Sequence, residues 1–181
     1  MSDPRRGRTV ELFRDNFAAA HAGAERLARS LERLAPQFPI GADQVAQLDL
    51  EQEDALDALL HRFTNLLALI QDRLFRGVAL LEQEVLAGRS KRDLCNLMER
   101  FGVVPSAERF STIAELRNKL AHDYPNDPAK QAERLNDAYN AASELLRILD
   151  RIREHVTAKR LADLGAFGPV ASPPLSRRPS A

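Results

Sequence analysis

Apolar residues recur at alternating intervals of four and three along most of this chain, and this spacing restricts what the chain can fold into. The first such stretch covers residues 9–34, and its recurring apolar residues are Phe13, Phe17, Ala20, Ala24, Leu27, Leu31 and Leu34. The spacing places them on one narrow face of an α-helix, the kind of face that packs against a partner helix. Pro36, Pro39 and Gly41 then end the helix and open a loop to about Leu50.

Four further helices are predicted from apolar periodicity and from helix start and stop signals. They cover residues 51–86, 91–101, 106–123 and 128–160. The second has a weak point at Gly77, and the fourth begins with Ser106 as its N-cap. The fourth stops at or before Tyr124, because Pro125 disfavours helical geometry in the residue that precedes it. Asp127 and Pro128 supply an N-cap and a first-turn proline for the fifth.

Length and composition agree with a single helical domain. The chain has 181 residues, 44% apolar and 29% charged, with 6% aromatic residues and no tryptophan. That composition is typical of a folded helical protein and not of a β-sandwich. Beyond Gly165 the sequence is rich in proline, serine, alanine and glycine. We therefore predict an all-α, antiparallel bundle of about five helices over residues 1–164, with a disordered, flexible tail over residues 165–181.

The first and last helices carry narrow apolar stripes that suggest a homodimer. The stripe of the last helix consists of Leu135, Ala138, Ala142, Leu145, Leu149, Ile152 and Val156. Two such stripes offer more helix surface than one short bundle can use, and a second copy of the chain would bury the excess.

Charge and cysteine content exclude several classes of function. The formal net charge is zero, which argues against a general DNA-coating protein but leaves room for a local basic pocket. Cys95 is the only cysteine, so no intrachain disulfide or thiolate zinc cluster can form, and we expect it to be buried. No signal peptide, membrane span or Gly-rich phosphate loop is recognisable, so we expect a cytoplasmic protein without a bound cofactor.

The residues best suited to chemistry lie together at the end of the fourth helix. Arg117, His122 and Tyr124 have the spacing R-x4-H-x-Y. An arginine fork matches phosphate oxygens, and an imidazole with a pKa of about 6.5 can take up and release a proton near neutral pH. This combination suits cleavage of RNA without a metal, with Asn118 and Lys119 as further phosphate-binding candidates.

Helical geometry complicates such a site. On an ideal helix, His122 lies about 140° around the axis from Arg117, so one straight helix cannot direct both side chains at one phosphate. Either the last turn unwinds before Pro125, or the site combines side chains from two chains. Purely structural roles are the alternative: a helix-dipole contact for His122, a surface charge for Arg117 and a core position for Tyr124.

The segment from Leu116 to Tyr124, LRNKLAHDY, resembles the signature of HEPN-domain proteins, particularly of HepT-like toxins. The resemblance implies an all-helical fold, a homodimer and a metal-independent endoribonuclease in which Arg117 and His122 are catalytic. It also implies a partner, a minimal nucleotidyltransferase antitoxin that can transfer AMP onto Tyr124. Some HEPN proteins are non-catalytic binding subunits, which is the alternative function.

Three polar residues of the second helix are weaker candidates. His61, Asn65 and Asp72 fall within about 40° of one another off the apolar face, and they could line an RNA cleft. A solvated polar face is the alternative. They make no convincing metal site, because His61 and Asp72 lie about three turns apart.

Overall fold

The computed structural model describes residues 4–120 and 127–171 of the chain. Seven α-helices occur in this described part: α1 Pro4–Leu34, α2 Ala42–Val45, α3 Leu50–Leu69, α4 Phe75–Leu81, α5 Lys91–Arg100, α6 Ala107–Leu120 and α7 Pro128–Ala158. A 3-10 turn, Ala35–Gln37, follows α1, and a π-helical turn, Ile70–Leu74, joins α3 to α4. These ranges contain no β-strand. The predicted all-α bundle is confirmed.

The two predicted N-caps are confirmed. The Ser106 hydroxyl accepts a hydrogen bond of 3.1 Å from the backbone N–H of Arg109, so it satisfies one of the free donors at the start of α6. The Asp127 carboxylate does the same for the N–H of Lys130 at 3.1 Å, with Pro128 in the first turn of α7.

The second predicted helix differs from the structure in two ways. Its irregularity is the π-helical turn at Ile70–Leu74 and not Gly77, which lies within α4. It also ends at Leu81 and not near residue 86, because Gln83 adopts a left-handed backbone conformation with φ 60°. Val85, beyond this end of the helix, is 71% exposed.

Helices α1, α3, α4 and α7 form the centre of the bundle. Helix α1 runs antiparallel to α3 and α4, since Arg33 near its end pairs with Glu51 at 2.9 Å while Phe13 near its start packs against Gly77. The Tyr139 hydroxyl of α7 donates a hydrogen bond of 3.2 Å to a carbonyl near the end of α1. The largest fully buried side chains are Phe13, Phe17, Phe63, Phe75 and Phe110.

Both terminal stripes are covered within one chain. Each of the seven stripe residues of α1 is at most 2% exposed. On α7 the stripe is buried from Ala138 to Val156, and Leu135 is partly buried. The surface excess that suggested a homodimer is therefore absent, and the dimer remains a prediction that depends on the geometry of the motif.

Residues 165–171, which are assigned from the sequence to the flexible tail, pack against the bundle through Phe167 and Val170. The Phe167 ring meets Phe17 edge-on at 5.4 Å between centroids. The Val170 side chain is buried, and its N–H donates to the Asp150 carboxylate at 3.2 Å. Apolar side chains in a proline-rich segment can still dock without forming a helix. The rest of the predicted tail, residues 172–181, lies outside the described residues.

Candidate functional site

Arg117 lies on the last turn of α6, on the side of the helix that faces the core. In helical projection it is about 20° from Phe110 and about 40° from Ile113, both of which are buried. The arginine itself is half-buried. Among the residues that the structure describes, none forms a hydrogen bond or an ion pair with it. A cation beside an apolar face without an acidic partner is costly unless a ligand compensates it.

Asn118 and Lys119 are exposed and do not share the side of Arg117. Successive helical residues are about 100° apart, so Lys119 points to the opposite side, about 160° around the axis from Arg117. Helix α6 is regular through Leu120, which means that it does not bring Arg117 and Lys119 together at one phosphate.

His122 and Tyr124 lie outside the described residues, in the segment 121–126 that joins α6 to α7. Their positions relative to Arg117 therefore remain predictions. The described ends of the segment are Leu120 and the N-cap Asp127.

Helix α6 runs antiparallel to α3, which places the motif beside the middle of α3. The rings of Phe75 and Phe110 lie 4.8 Å apart, and Gln71 and Ala114 line one groove. At about 1.5 Å per residue, Leu120 is level with the turn of α3 that contains Asn65. Thr64 lies on the same side of α3 as Gln71 and is half-buried, with its hydroxyl donating to a backbone carbonyl at 2.9 Å. This side of α3 therefore presents a short side chain, Thr64, at about the level of the end of α6.

The three polar residues predicted on the second helix do not form one cluster. The Asn65 amide nitrogen and the His61 Nε2 atom are hydrogen-bonded at 2.9 Å, and both residues are exposed. Asp72 instead pairs with Lys91 of α5 at 2.7 Å. It lies in the π-helical turn, about 16 Å along the axis from His61, so it is separate from the hydrogen-bonded pair of His61 and Asn65.

A partly buried ionic cluster joins the far end of α7 to the ends of α4 and α5. The carboxylate of Glu82 accepts hydrogen bonds from His155 and from Lys159, each at 2.7 Å. His155 also stacks on Phe101 with 5.4 Å between ring centroids. Burial raises the pKa of Glu82, whereas the hydrogen bonds and charges of Lys159 and His155 lower it. Together the lowering effects outweigh burial, so the pKa of Glu82 lies below its ordinary value. Because α7 separates this cluster from the motif by about 40 Å, we assign it a structural role.

Cys95 is buried as predicted, and burial raises the pKa of its thiol. This places it among inert structural cysteines. In the described part of the chain, no three or more His, Cys, Asp or Glu residues lie grouped so as to hold a metal ion. The helices of residues 4–120 and 127–171 include none that is both long and apolar enough to cross a membrane.

Two grooves on the surface could not be predicted from the sequence, because each is formed by the packing of neighbouring helices. One, of about 760 Å³, lies between α5 and α6 and is lined in part by Arg92, Ser111 and Glu115. The other, of about 450 Å³, lies between α1 and α3 and includes three arginines. The only sequence signal for the second is the spacing of Arg26, Arg29 and Arg33 on one side of α1.

No protein family model, curated protein or solved structure matches this chain. The residues of the R-x4-H-x-Y motif and their surroundings are therefore what indicates a function.

Proposed function

We propose that this protein is a HepT-like, metal-independent endoribonuclease toxin, with Arg117 and His122 as its catalytic residues. The observation that carries the proposal is the position of Arg117: half-buried on the core-facing side of α6, without an acidic partner among the described residues. An arginine retained there for stability alone would be expected to have a carboxylate beside it. An arginine kept for a phosphate needs its donors free.

The chemistry follows from the residue types. A His122 imidazole would take the proton of a ribose 2′-hydroxyl while that oxygen attacks the adjacent phosphorus. The bond from phosphorus to the 5′-oxygen breaks, and the leaving oxygen takes up a proton. Arg117 would stabilise the extra negative charge on the phosphorane between these steps. The products are a 2′,3′-cyclic phosphate and a free 5′-hydroxyl.

A homodimer would solve the geometric problem of the motif. With two copies of the segment at one cleft, one His122 can act as the base and the other as the acid, while Arg117 of either chain holds the phosphate. Because the apolar stripes of α1 and α7 are buried within one chain, they give no reason for a dimer. The geometry of the motif is the remaining reason. Unwinding of the chain after Leu120 is the alternative, and it would allow one chain to form the site alone.

The proposal includes a partner that turns the site off. A minimal nucleotidyltransferase that transfers AMP from ATP onto the Tyr124 hydroxyl, with loss of the hydroxyl proton and release of pyrophosphate, would add a phosphate diester close to Arg117 in sequence. That anion would compete with RNA phosphate for the same guanidinium group. Tyr124 is thus proposed as the modified residue and not as a catalytic one.

The neutral net charge favours a second function, a non-catalytic HEPN subunit that only binds such a nucleotidyltransferase. Protein–protein recognition does not require the basic surface that RNA binding usually does.

Growth of a bacterial host that expresses the chain alone distinguishes the two. The nuclease proposal predicts that the wild type slows growth and that Arg117→Ala and His122→Ala each restore it at equal expression. Arg92→Ala, on the neighbouring helix α5, is the matched control and should remain toxic. If the wild type and all three variants grow equally well, and the protein forms a stable complex with a nucleotidyltransferase, the binding subunit is favoured.

A further inference from the structure

A groove of about 450 Å³ between α1 and α3 brings together three arginines from two helices. Arg29 and Arg33 stand one turn apart on α1, and Arg62 reaches across from α3. Glu51 and Asp54 of α3 also line the groove. Three guanidinium groups therefore face two carboxylates, and we refer to this site as the arginine groove.

The charges of the groove are only partly paired. Arg33 pairs with Glu51 at 2.9 Å, but both side chains are largely exposed, so this pair is open to exchange with a ligand. Arg29 has no acidic partner in the described part of the chain. Arg62 donates a hydrogen bond to the hydroxyl of Ser30, a neutral group.

The contact between Arg62 and Ser30 orients a cation without neutralising it. Ser30 is 5% exposed, so its hydroxyl is fixed by the packing of α1 against α3. A guanidinium group has five N–H donors, and this hydrogen bond uses one of them. Arg62 lines the groove, and its remaining donors suit the planar recognition of a phosphate.

This local excess stands out because the whole chain is neutral. Arg26 extends the cluster by one turn, so that three arginines follow one side of α1 at intervals of three and four. Like charges at these intervals repel one another on a helix. Glu25 and Glu32, four residues before and three residues after Arg29, offset part of this repulsion, and an anion bound in the groove would offset more of it.

The groove lies along the first part of α3, and its Arg62 is within about one helical turn of the level of Leu120. Leu120 of α6 is level with the turn of α3 that contains Asn65, and Arg62 precedes Asn65 by three residues. Arg62 points to the side of α3 opposite Thr64, which faces α6. A strand that crosses the exposed side of α3, over His61 and Asn65, would connect the end of α6 with the groove.

We propose that the arginine groove binds the phosphate backbone of the RNA substrate, a few nucleotides from the bond that is cut. The identity of the ligand as RNA rests on the proposed function, whereas the anion-binding character of the groove rests on the residues described above. The site would supply the local basic surface that a neutral nuclease needs.

Binding of an unstructured, fluorescently labelled 12-nucleotide RNA tests the proposal, measured by anisotropy at several salt concentrations. All proteins carry His122→Ala so that the RNA stays intact. Arg29→Glu is the test variant, because Arg29 is exposed and its replacement should leave the fold unchanged. Arg151→Glu is the matched control, since Arg151 is exposed on α7 and causes the same change in net charge.

We expect Arg29→Glu to weaken binding by at least about fivefold at 0.1 M salt and to reduce the slope of log affinity against log salt by about 0.7, the value for one lost phosphate contact on a single strand. Arg151→Glu should change the affinity less than twofold. Arg62→Gln, a second variant, keeps a hydrogen-bond donor for Ser30 and should also weaken binding.

Two outcomes separate this inference from the proposed function. If the wild type cuts RNA but Arg29→Glu and Arg151→Glu bind it equally well, the groove is not a phosphate site and the nuclease proposal stands. If Arg29→Glu selectively loses binding although the wild type cuts no RNA, the groove is confirmed and the nuclease proposal fails. Absence of RNA binding by the His122→Ala background would overturn the groove as an RNA site.

Discussion

The ring of Phe13 occupies the space that a side chain at position 77 would need. A Cβ atom built on Gly77 would lie 2.6 Å from the Cδ2 atom of Phe13, a distance that real Cβ contacts do not reach. The ring is fully enclosed and cannot move aside without disturbing the core. The glycine that the sequence marks as a weak point in a helix is therefore a position at which the Phe13 side chain of α1 packs directly against the backbone of α4.

Replacing Gly77 by Ala should destabilise the fold although alanine favours helices. The expected loss is about 1–2 kcal/mol, since an overpacked core costs ~1–3 kcal/mol and the helical preference of alanine returns up to ~1 kcal/mol. Gly23→Ala in α1 is the control, because nothing lies within 4 Å of its added Cβ. Urea unfolding should show opposite signs for the two variants. A stabilised Gly77→Ala protein would mean that Phe13 does not pack there.

Replacing Phe167 by Ala tests whether residues 165–171 belong to the domain. The ring contacts Phe17 at 5.4 Å and His21 at 5.3 Å between centroids, and the His21 Nε2 atom lies 3.0 Å from the Gly168 carbonyl oxygen. We expect a loss of about 1–3 kcal/mol in thermal or urea unfolding, somewhat less than for a fully buried phenylalanine. Pro169→Ala, at an exposed position, should have little effect. Equal stabilities would show that the segment does not dock in solution.

The stability of the protein should fall at acid pH in part because of Glu82. Its folded-state pKa is below the ordinary value of 4.5, so its contribution is fully present above about pH 4.5 and is lost as the pH falls through the folded pKa. Glu82→Gln should therefore lower stability at pH 7 by about 1.5–3 kcal/mol, the range for hydrogen bonds to a charged group. The difference from the wild type should shrink as the pH falls through the folded pKa of Glu82.

Urea unfolding at pH 7, 5, 4 and 3 measures this effect. Glu32→Gln, at an exposed position on α1, serves as the control and should follow the wild type at every pH. A constant difference between Glu82→Gln and the wild type across this range would contradict the account.

Arg117 should be a residue that the fold can spare. Because it is half-buried beside Phe110 and Ile113 and has no partner among the described residues, Arg117→Leu should leave stability unchanged or raise it by up to about 1 kcal/mol. The same variant should lose RNA cleavage. Thermal unfolding and a cleavage assay on one preparation check both parts. A loss of stability above about 1 kcal/mol would instead assign Arg117 a structural role.

Local features of the fold could be predicted from the sequence where one residue determines one contact. Ser106 and Asp127 cap their helices through their own side chains, and Cys95 is buried by the spacing of its neighbours. The π-helical turn at Ile70–Leu74 could not be predicted, since it depends on how α3 and α4 each pack against α1. The docking of Phe167 was hidden by the proline-rich composition around it.

The candidate site divides in the same way. The apolar spacing of α6 is enough to place Arg117 beside the core-facing side. The ion pair of Asp72 could not be predicted, because Lys91 is distant in sequence and is brought close only by the packing of α5. The arginine groove likewise needs two helices, so the spacing on α1 alone gave only half of it.

Cleavage of a single-stranded RNA in the presence of EDTA tests the central claim most directly. One oligonucleotide is all-ribose, and a second has 2′-deoxyribose on the 5′ side of the bond that the wild type cuts. The account predicts that the wild type cuts only the first and leaves a 2′,3′-cyclic phosphate, and that Arg117→Ala and His122→Ala each reduce the rate by about 10²–10⁴-fold. Cleavage of both oligonucleotides, or an unchanged rate in either variant, would contradict it.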